Sequence, residues 1–135
     1  MYSSVMSAAV YGIEAQIINC EADVSDGLPL FNMVGFLASE VKEARDRVRT
    51  ALKNSGFGMR PKHITINLSP ADMRKSGTGF DLPITLAVMS AAGMIPAEQL
   101  EDALVVGELG LDGEIKGIPG ILPIVLAARE NGIVD

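Results

Sequence analysis

The sequence has few of the residues that carry redox and metal chemistry. Its 135 residues include one cysteine, Cys20, and one histidine, His63. A single cysteine excludes an intramolecular disulfide and a Cys-x-x-Cys metal pair. His63 has no metal-ligating residue at a suitable spacing, so we expect it to be a solvent-facing strand residue without a metal. Tryptophan is absent and Tyr and Phe are rare, so the core must be built from aliphatic residues and Met.

Signals for export or membrane insertion are also missing. The N-terminus lacks a basic segment followed by a long apolar stretch, which a signal peptide requires. Gly, Pro or a charged residue interrupts each apolar run before it is long enough to cross a membrane. We therefore expect a cytoplasmic protein that does not contact a membrane.

Positive charge is scarce and unevenly placed. The net charge is −6, yet residues 42–75 contain nine of the eleven Lys and Arg residues. A basic segment of this kind can contact a phosphate backbone locally, because salt screens charges beyond about 10 Å at 0.1 M. The alternative is a solvated helix surface, which the charge pattern by itself favours.

Hydrophobic spacing predicts a layered α+β or α/β domain. The predicted elements are strands over 4–10, 13–24, 30–34 and 63–68, helices over 39–55 and 119–131, a buried helix that begins between Thr78 and Asp81, and an Asp-Gly hairpin within 103–115. We expect Ser39 to cap the first helix, and Thr78 and Asp81 to form a capping box, with Asp81 as the alternative cap. The apolar phase changes at Ile17-Ile18, which indicates a bulge or a strand buried on both sides.

The loop "RKSGTGFDLP" (residues 74–83) is the one segment with the composition of a reactive site. It is not a P-loop, because Arg74 stands where that motif requires glycine. A Ser–Lys or Thr–Lys dyad stays open, with Ser76 or Thr78 as the nucleophile and Lys75 or Lys116 as the base, although such hydroxyls are more often caps. The other possibility is an anion site, since Arg74 and Lys75 lead into a helix N-terminus.

Three segments together resemble a known family. They are "GLPLFNMVGFLASEVKEARDRVRTALKNSGF", "ITINLSPADMRKSGTGFDLPITLAV" and "VVGELGLDGEIKGIPGILPIVLAAR". They resemble the N-terminal domain of the ComM/YifB group of bacterial "magnesium chelatase-like" AAA+ ATPases. The resemblance implies that residues 1–135 are a single domain, that Met1 is near the native start, and that a missing C-terminal part carries the Walker motifs with ATP and Mg²⁺.

That family domain is in turn similar to the Lon proteolytic domain, which has a ribosomal-protein-S5-domain-2-like fold. The similarity places the Lon nucleophile position at Gly79 and the Lon lysine position at Leu122. Neither side chain can take or give a proton, so the resemblance implies that this chain is not a peptidase and needs no cofactor of its own.

The resemblance also implies a role for the parent protein, which is ATP-driven branch migration on DNA by a hexameric ring during recombination and natural transformation. We expect this domain to help protomers assemble and to contact DNA. The candidate phosphate-binding residues are Lys42, Arg45, Arg49, Lys53, Arg60, Lys62, Arg74 and Lys75. The alternatives are a purely structural oligomerisation module, a divergent Ser/Thr–Lys peptidase, and a magnesium chelatase subunit.

Overall fold

A computed structural model of the protein describes residues 1–56 and 62–133. In chain order the elements are β1 (Tyr2–Tyr11), β2 (Glu14–Ser25), β3 (Leu30–Val34), α1 (Ser39–Lys42), α2 (Ala44–Asn54), β4 (His63–Ser69), α3 (Asp81–Ala91), a 3₁₀ turn (Ala97–Gln99), β5 (Glu108–Leu109), β6 (Ile115–Lys116) and α4 (Ile121–Glu130). This mixture confirms the α+β prediction. In the described ranges, no helix is both long and apolar enough to span a bilayer.

The main sheet has the order β1-β2-β4-β3. Strands β1, β2 and β4 are antiparallel neighbours, whereas β3 runs parallel to β4 and is joined to it through the helical segment. The β1–β2 register runs without interruption from Tyr2↔Asp23 to Tyr11↔Glu14. The predicted possibility of a bulge at Ile17-Ile18 is therefore wrong, and burial on both sides of the strand remains.

Helices α3 and α4 cover opposite faces of the β1–β2 hairpin. Ser3 Oγ donates to Ser90 Oγ of α3 over 2.8 Å, which places α3 on the face of Ser3. Val10 has the opposite parity in the strand, and its Cγ2 lies 3.0 Å from where a Cβ on Gly120 would stand, immediately before α4. Ile18 is fully buried in the main core, and Ile17 is half-buried on the opposite face.

The main core lies between the sheet and helices α1, α2 and α3. Strand β4 alternates as predicted, with Ile64, Ile66 and Leu68 buried. The apolar stripe of the helical segment is also buried, and its members are Val41, Ala44, Val48, Ala51 and Leu52. Cys20 is fully buried in this core, and burial raises the pKa of its thiol. The thiol is therefore neither exposed nor activated.

The first helical segment and α3 begin as predicted, at Ser39 and Asp81, but their capping residues differ from the prediction. The helix predicted over 39–55 divides at Glu43, and Ala38 takes the cap position in place of Ser39. At the start of α3, Phe80 takes the cap position and no side chain bonds to the free amides. The capping box of Thr78 and Asp81 is therefore wrong, because the Asp81 carboxylate is used elsewhere. The predicted end of the first helical segment is confirmed, because Gly56 follows with a φ of 76°.

The Asp-Gly hairpin is present but short. Strands β5 and β6 pair over two residues each, and Gly113 takes a φ of 91° in the turn between them. Helix α4 begins at Ile121, two residues later than predicted, because Gly120 takes a left-handed φ of 81°. Pro123 consequently lies in the first turn, where its missing N–H costs little.

Candidate nucleic-acid interface

Four exposed cations line one side of α1 and α2. Lys42, Arg45, Arg49 and Lys53 recur at intervals of three and four residues, and all four are exposed. At 100° per residue the three members in α2 fall within about 80° of its circumference, and Lys42 is the last residue of α1. The buried apolar stripe lies on the other side of the same segment. We term these four residues the basic stripe.

Most of the positive charge of the basic stripe is available to a partner. Asp46 is the acid beside it, and its Oδ1 lies 2.9 Å from Arg49 Nη2 and 3.7 Å from Arg45 Nε. Exposed pairs of this kind contribute about 0–1 kcal/mol, so they exchange readily with another anion. Among residues 1–56 and 62–133, Lys42 and Lys53 take part in no ion pair.

The other candidate cations differ in their surroundings. Arg60 lies outside the described residues. Lys62 is half-buried, and its ammonium pairs with the exposed Asp26 carboxylate. Arg74 is exposed, and its carbonyl accepts a hydrogen bond from the Tyr11 hydroxyl. Arg74 thus stays available, whereas Lys62 already has an anionic partner.

Lys75 is not available at the surface. Its side chain is fully buried, and its ammonium donates to the Pro70 carbonyl. The backbone of Lys75 is held from both sides, because its N–H donates to Phe36 O over 2.8 Å and its C=O accepts from Ala38 N over 2.9 Å. Burial lowers the pKa of Lys75, partly offset by Asp72. The expectation that Lys75 meets a phosphate is contradicted by this burial.

The loop before α3 is also not an empty anion site. Leu82 N–H donates to Gly107 O over 3.0 Å, and Pro83 has no N–H to offer. Gly77 N–H in the loop donates to Glu40 Oε1 over 3.0 Å, which lowers the pKa of Glu40. The loop therefore binds a carboxylate of its own chain at Gly77, so the Gly77 and Leu82 amides are not open to an external anion.

A buried ion pair occupies the same helix end. Asp81 is fully buried, and its carboxylate accepts bonds from Arg47 Nε over 2.7 Å and Arg47 Nη2 over 3.0 Å. It also accepts the Leu109 N–H over 3.0 Å. The bond to Asp81 raises the pKa of Arg47. One carboxylate thus joins α2, α3 and β5, which explains why Asp81 does not cap its own helix.

Sequence reasoning missed this ion pair. The sequence offered Arg47 one partner only, Glu43, four residues earlier in the helical segment. These two side chains do approach each other, with 3.8 Å between Glu43 Oε2 and Arg47 Nη1. Arg47 lies on a different side of α2 from the basic stripe, and only 19% of its side chain is exposed. Its role is therefore to hold the fold and not to meet an external anion.

The two positions that the resemblance assigns to the Lon catalytic residues, Gly79 and Leu122, lie in different surroundings. A Cβ on Gly79 would stand 2.8 Å from Ile118 Cδ1, and the nearest side-chain atoms around it all belong to Ile118. The Gly79 carbonyl accepts from Gly107 N over 3.0 Å. Leu122 lies at the start of α4 with 69% of its surface exposed. A hydroxyl at position 79 would therefore meet an apolar side chain.

Metal ligands are not gathered in the part of the chain that the structure describes. Within it, no group of three or more His, Cys, Asp or Glu residues is placed to hold a metal ion. His63 is the first residue of β4 and is half-buried.

Comparisons with known proteins find one family over most of the chain. The family model described as "Subunit ChlI of Mg-chelatase" matches residues 20–135. The chain is 42% identical over 127 residues to "Competence protein ComM" of Haemophilus influenzae, and 44% identical over 130 residues to YifB of Escherichia coli. It is 47% identical over 128 residues to YifB of Salmonella typhimurium. These matches cover 94%, 96% and 95% of this chain but 25%, 26% and 25% of the relatives, so the chain spans about a quarter of their length.

Proposed function

Since the chain belongs to the magnesium-chelatase-like ChlI family of ComM and YifB, we propose that it is the non-catalytic N-terminal domain of a ComM-type AAA+ ATPase. The rest of such a protein binds ATP and Mg²⁺ and drives branch migration on DNA in recombination and natural transformation. The domain keeps the Lon-like fold without its chemistry. Its two tasks are to contact DNA phosphates and to help protomers assemble into a hexameric ring.

The basic stripe is the observation that carries the DNA part of this proposal. From Lys42 to Lys53 it extends about 17 Å, at a rise of about 1.5 Å per residue. One strand of B-DNA presents a phosphate about every 3.4 Å along the helix axis, so several phosphates lie within this length. Lys and Arg that meet phosphates fix position and orientation without reading the bases. We therefore expect binding that is independent of sequence.

The acidic remainder of the domain supports one orientation on DNA. The net charge of the chain is −6, whereas the basic stripe together with Asp46 carries +3. At physiological ionic strength charges act over about 8 Å, so the local sign of the surface matters more than the net charge. The stripe attracts the phosphate backbone, and the acidic surfaces are kept away from it.

A salt titration of DNA binding tests the proposal. Fluorescence anisotropy of labelled branched DNA gives the apparent Kd of the chain at several salt concentrations. The slope of the logarithm of the association constant against log salt is negative, and for each phosphate contact that is lost its magnitude should decrease by about 0.9. Lys42→Gln/Lys53→Gln removes two exposed cations that have no partner in the described structure, so we expect the magnitude of the slope to decrease by about 1.8.

The matched control is Lys116→Gln, which removes an exposed lysine from β6, outside the basic stripe. It should leave the slope unchanged. If the double variant and wild type give the same affinity and the same slope, the basic stripe does not contact DNA. A loss in the control of about half that in the double variant, in proportion to the charge removed, would mean that only the net charge matters, which also contradicts the proposal.

The peptidase alternative has no comparable support. No hydrogen bond of the described residues joins the Ser76 or Thr78 hydroxyl to a lysine, and the Lys75 ammonium bonds to Pro70 instead. The chelatase alternative would need a site for a metal or a porphyrin, and no cluster of metal ligands among the described residues supports it. The remaining alternative is a purely structural oligomerisation module. Two apolar surfaces support it, one on α4 and one between α2, α3 and the β5–β6 hairpin.

A further inference from the structure

The outer side of α4 is apolar although it faces solvent. Leu122, Val125 and Leu126 are 69%, 48% and 49% exposed, and their spacing places them on one side of the helix. Arg129 follows on the same side, one turn later, and is also exposed. We term these four residues the α4 ridge. Contiguous exposed apolar side chains of this kind mark an interaction surface.

An apolar cleft of about 480 Å³ lies between α2, α3 and the β5–β6 hairpin. Its main lining residues are Leu82, Leu86, Met89, Met94, Ile95 and Ile115. The two hydroxyls in its wall are already bonded, Ser55 to Ala51 O over 2.6 Å and Thr85 to Asp81 O over 2.8 Å. An occupant of the cleft must therefore be largely apolar, because a polar group would lose its bonds to water without gaining others.

We propose that these two surfaces bind each other between copies of this chain, so that the α4 ridge of one copy enters the apolar cleft of the next. The cleft is built on α3 and the ridge on α4, and these helices cover opposite faces of the β1–β2 hairpin. The ridge therefore faces away from the cleft of its own copy, so a contact between the two surfaces must join different copies. This contact is how protomers would assemble in the proposed function. The number of six copies comes from that proposed function and not from the contact.

Charge at the ends of the two surfaces is complementary. Arg129 takes part in no ion pair among the described residues, and neither do Asp112 and Glu114, which are exposed in the hairpin beside the cleft. Residues 108–116 carry three acids and one cation, Lys116. A ridge that ends in a guanidinium thus meets a cleft with a net negative rim, which favours one direction of docking.

The proposed contact joins two different patches and is therefore heterologous. A contact of this type forms a ring if the rotation between copies closes, and a filament if it does not. A dimer formed in this way always keeps one free ridge and one free cleft. Association should therefore continue beyond the dimer as the concentration rises.

Sedimentation velocity of the 135-residue chain without DNA tests this directly. Leu122→Asp disables the ridge, and Ile115→Asp disables the cleft at a side chain that is 61% exposed. Each variant alone should associate at least about tenfold more weakly than wild type. An equimolar mixture of the two should form a dimer and stop there, because it has one intact ridge and one intact cleft.

Leu28→Asp is the matched control, since Leu28 is 84% exposed in the turn before β3 and belongs to neither surface. It should associate as wild type does, and far-UV circular dichroism should show that all variants are folded. A wild-type chain that stays monomeric up to about 1 mM overturns the proposal and leaves the cleft to another occupant. An equimolar mixture that fails to dimerise while wild type associates overturns it as well.

The charge of the contact gives a second measurement. Arg129→Glu should weaken association, and combining it with Asp112→Arg/Glu114→Arg in the same chain should restore it, because every contact then joins a reversed ridge to a reversed cleft. Restoration is expected only if these groups meet across the contact. The substitutions avoid the basic stripe, so loss of self-association and loss of DNA binding are separate results, and one can fail while the other holds.

Discussion

Replacing Asp81 with asparagine tests the ion pair that joins α2, α3 and β5. The carboxylate accepts two bonds from Arg47 and one from Leu109 N–H, at 2.7, 3.0 and 3.0 Å. Asparagine keeps the shape and one acceptor oxygen, but it loses the charge and turns an NH₂ group toward an N–H donor. Removing one partner of a fully buried ion pair costs about 3–5 kcal/mol.

The expected cost is lower here because Arg47 is not wholly enclosed. Its side chain is 19% exposed, and Nη2 also donates to Glu40 O over 2.8 Å. We therefore expect Asp81→Asn to lower the free energy of unfolding by about 2–3 kcal/mol. Urea denaturation followed by far-UV circular dichroism measures this loss without tryptophan, which the chain lacks.

Asp102→Asn is the control, because Asp102 is exposed and joins no ion pair of the described residues. It should change stability by less than about 0.5 kcal/mol. The reasoning is refuted if Asp81→Asn costs less than about 1 kcal/mol, which is the range of exposed pairs. It is also refuted if Asp81→Asn and Arg47→Met are additive, because two groups in direct contact should be coupled by at least about 0.5 kcal/mol.

Three further predictions concern single side chains. Ser7 Oγ is buried and has no hydrogen-bond partner within the described ranges, so Ser7→Ala should raise the free energy of unfolding by about 1 kcal/mol; an unchanged urea midpoint would contradict this. Burial lowers the pKa of Lys75 below its ordinary value of 10.5, so between the two values the unfolded chain binds more protons and stability rises with pH. Lys75→Met should remove that rise, which urea midpoints measured at several pH values would show. If the midpoints of the two proteins change in parallel with pH, the inference is wrong. Gly79→Ser should not release peptides from casein, because Ile118 occupies the space beside the new hydroxyl; cleavage by this variant would restore the peptidase alternative.

The spacing of apolar residues was sufficient to predict the strands and helices that bury one side. Strand β4 and the helical segment with Val48 at its centre were predicted because their apolar residues recur at the spacing of a strand or a helix. The same spacing defines the basic stripe, whose four members could be assigned to one helix from the sequence. Their exposure, by contrast, depends on which neighbours pack against that helix.

Pairings between residues distant in sequence could not be predicted in this way. Asp81 was expected near a helix cap because local rules favour it there, but Arg47 and Leu109 N–H, which come from other elements, bind it instead. Lys75 was expected to meet a phosphate because it leads, with Arg74, into a helix N-terminus. Its backbone pairs with residues 36 and 38, and this tertiary contact buries the side chain.

Site-specific crosslinking tests the central claim, that the basic stripe lies on DNA, most directly. Cys20 is fully buried, so a thiol-reactive photo-crosslinker would label a new cysteine selectively. Lys53→Cys places the label at the end of the basic stripe, and Lys116→Cys places it on β6 as the control. The account predicts that, on irradiation with branched DNA at low salt, position 53 forms the covalent adduct and position 116 does not. No adduct from position 53, or equal adducts from both positions, would contradict it.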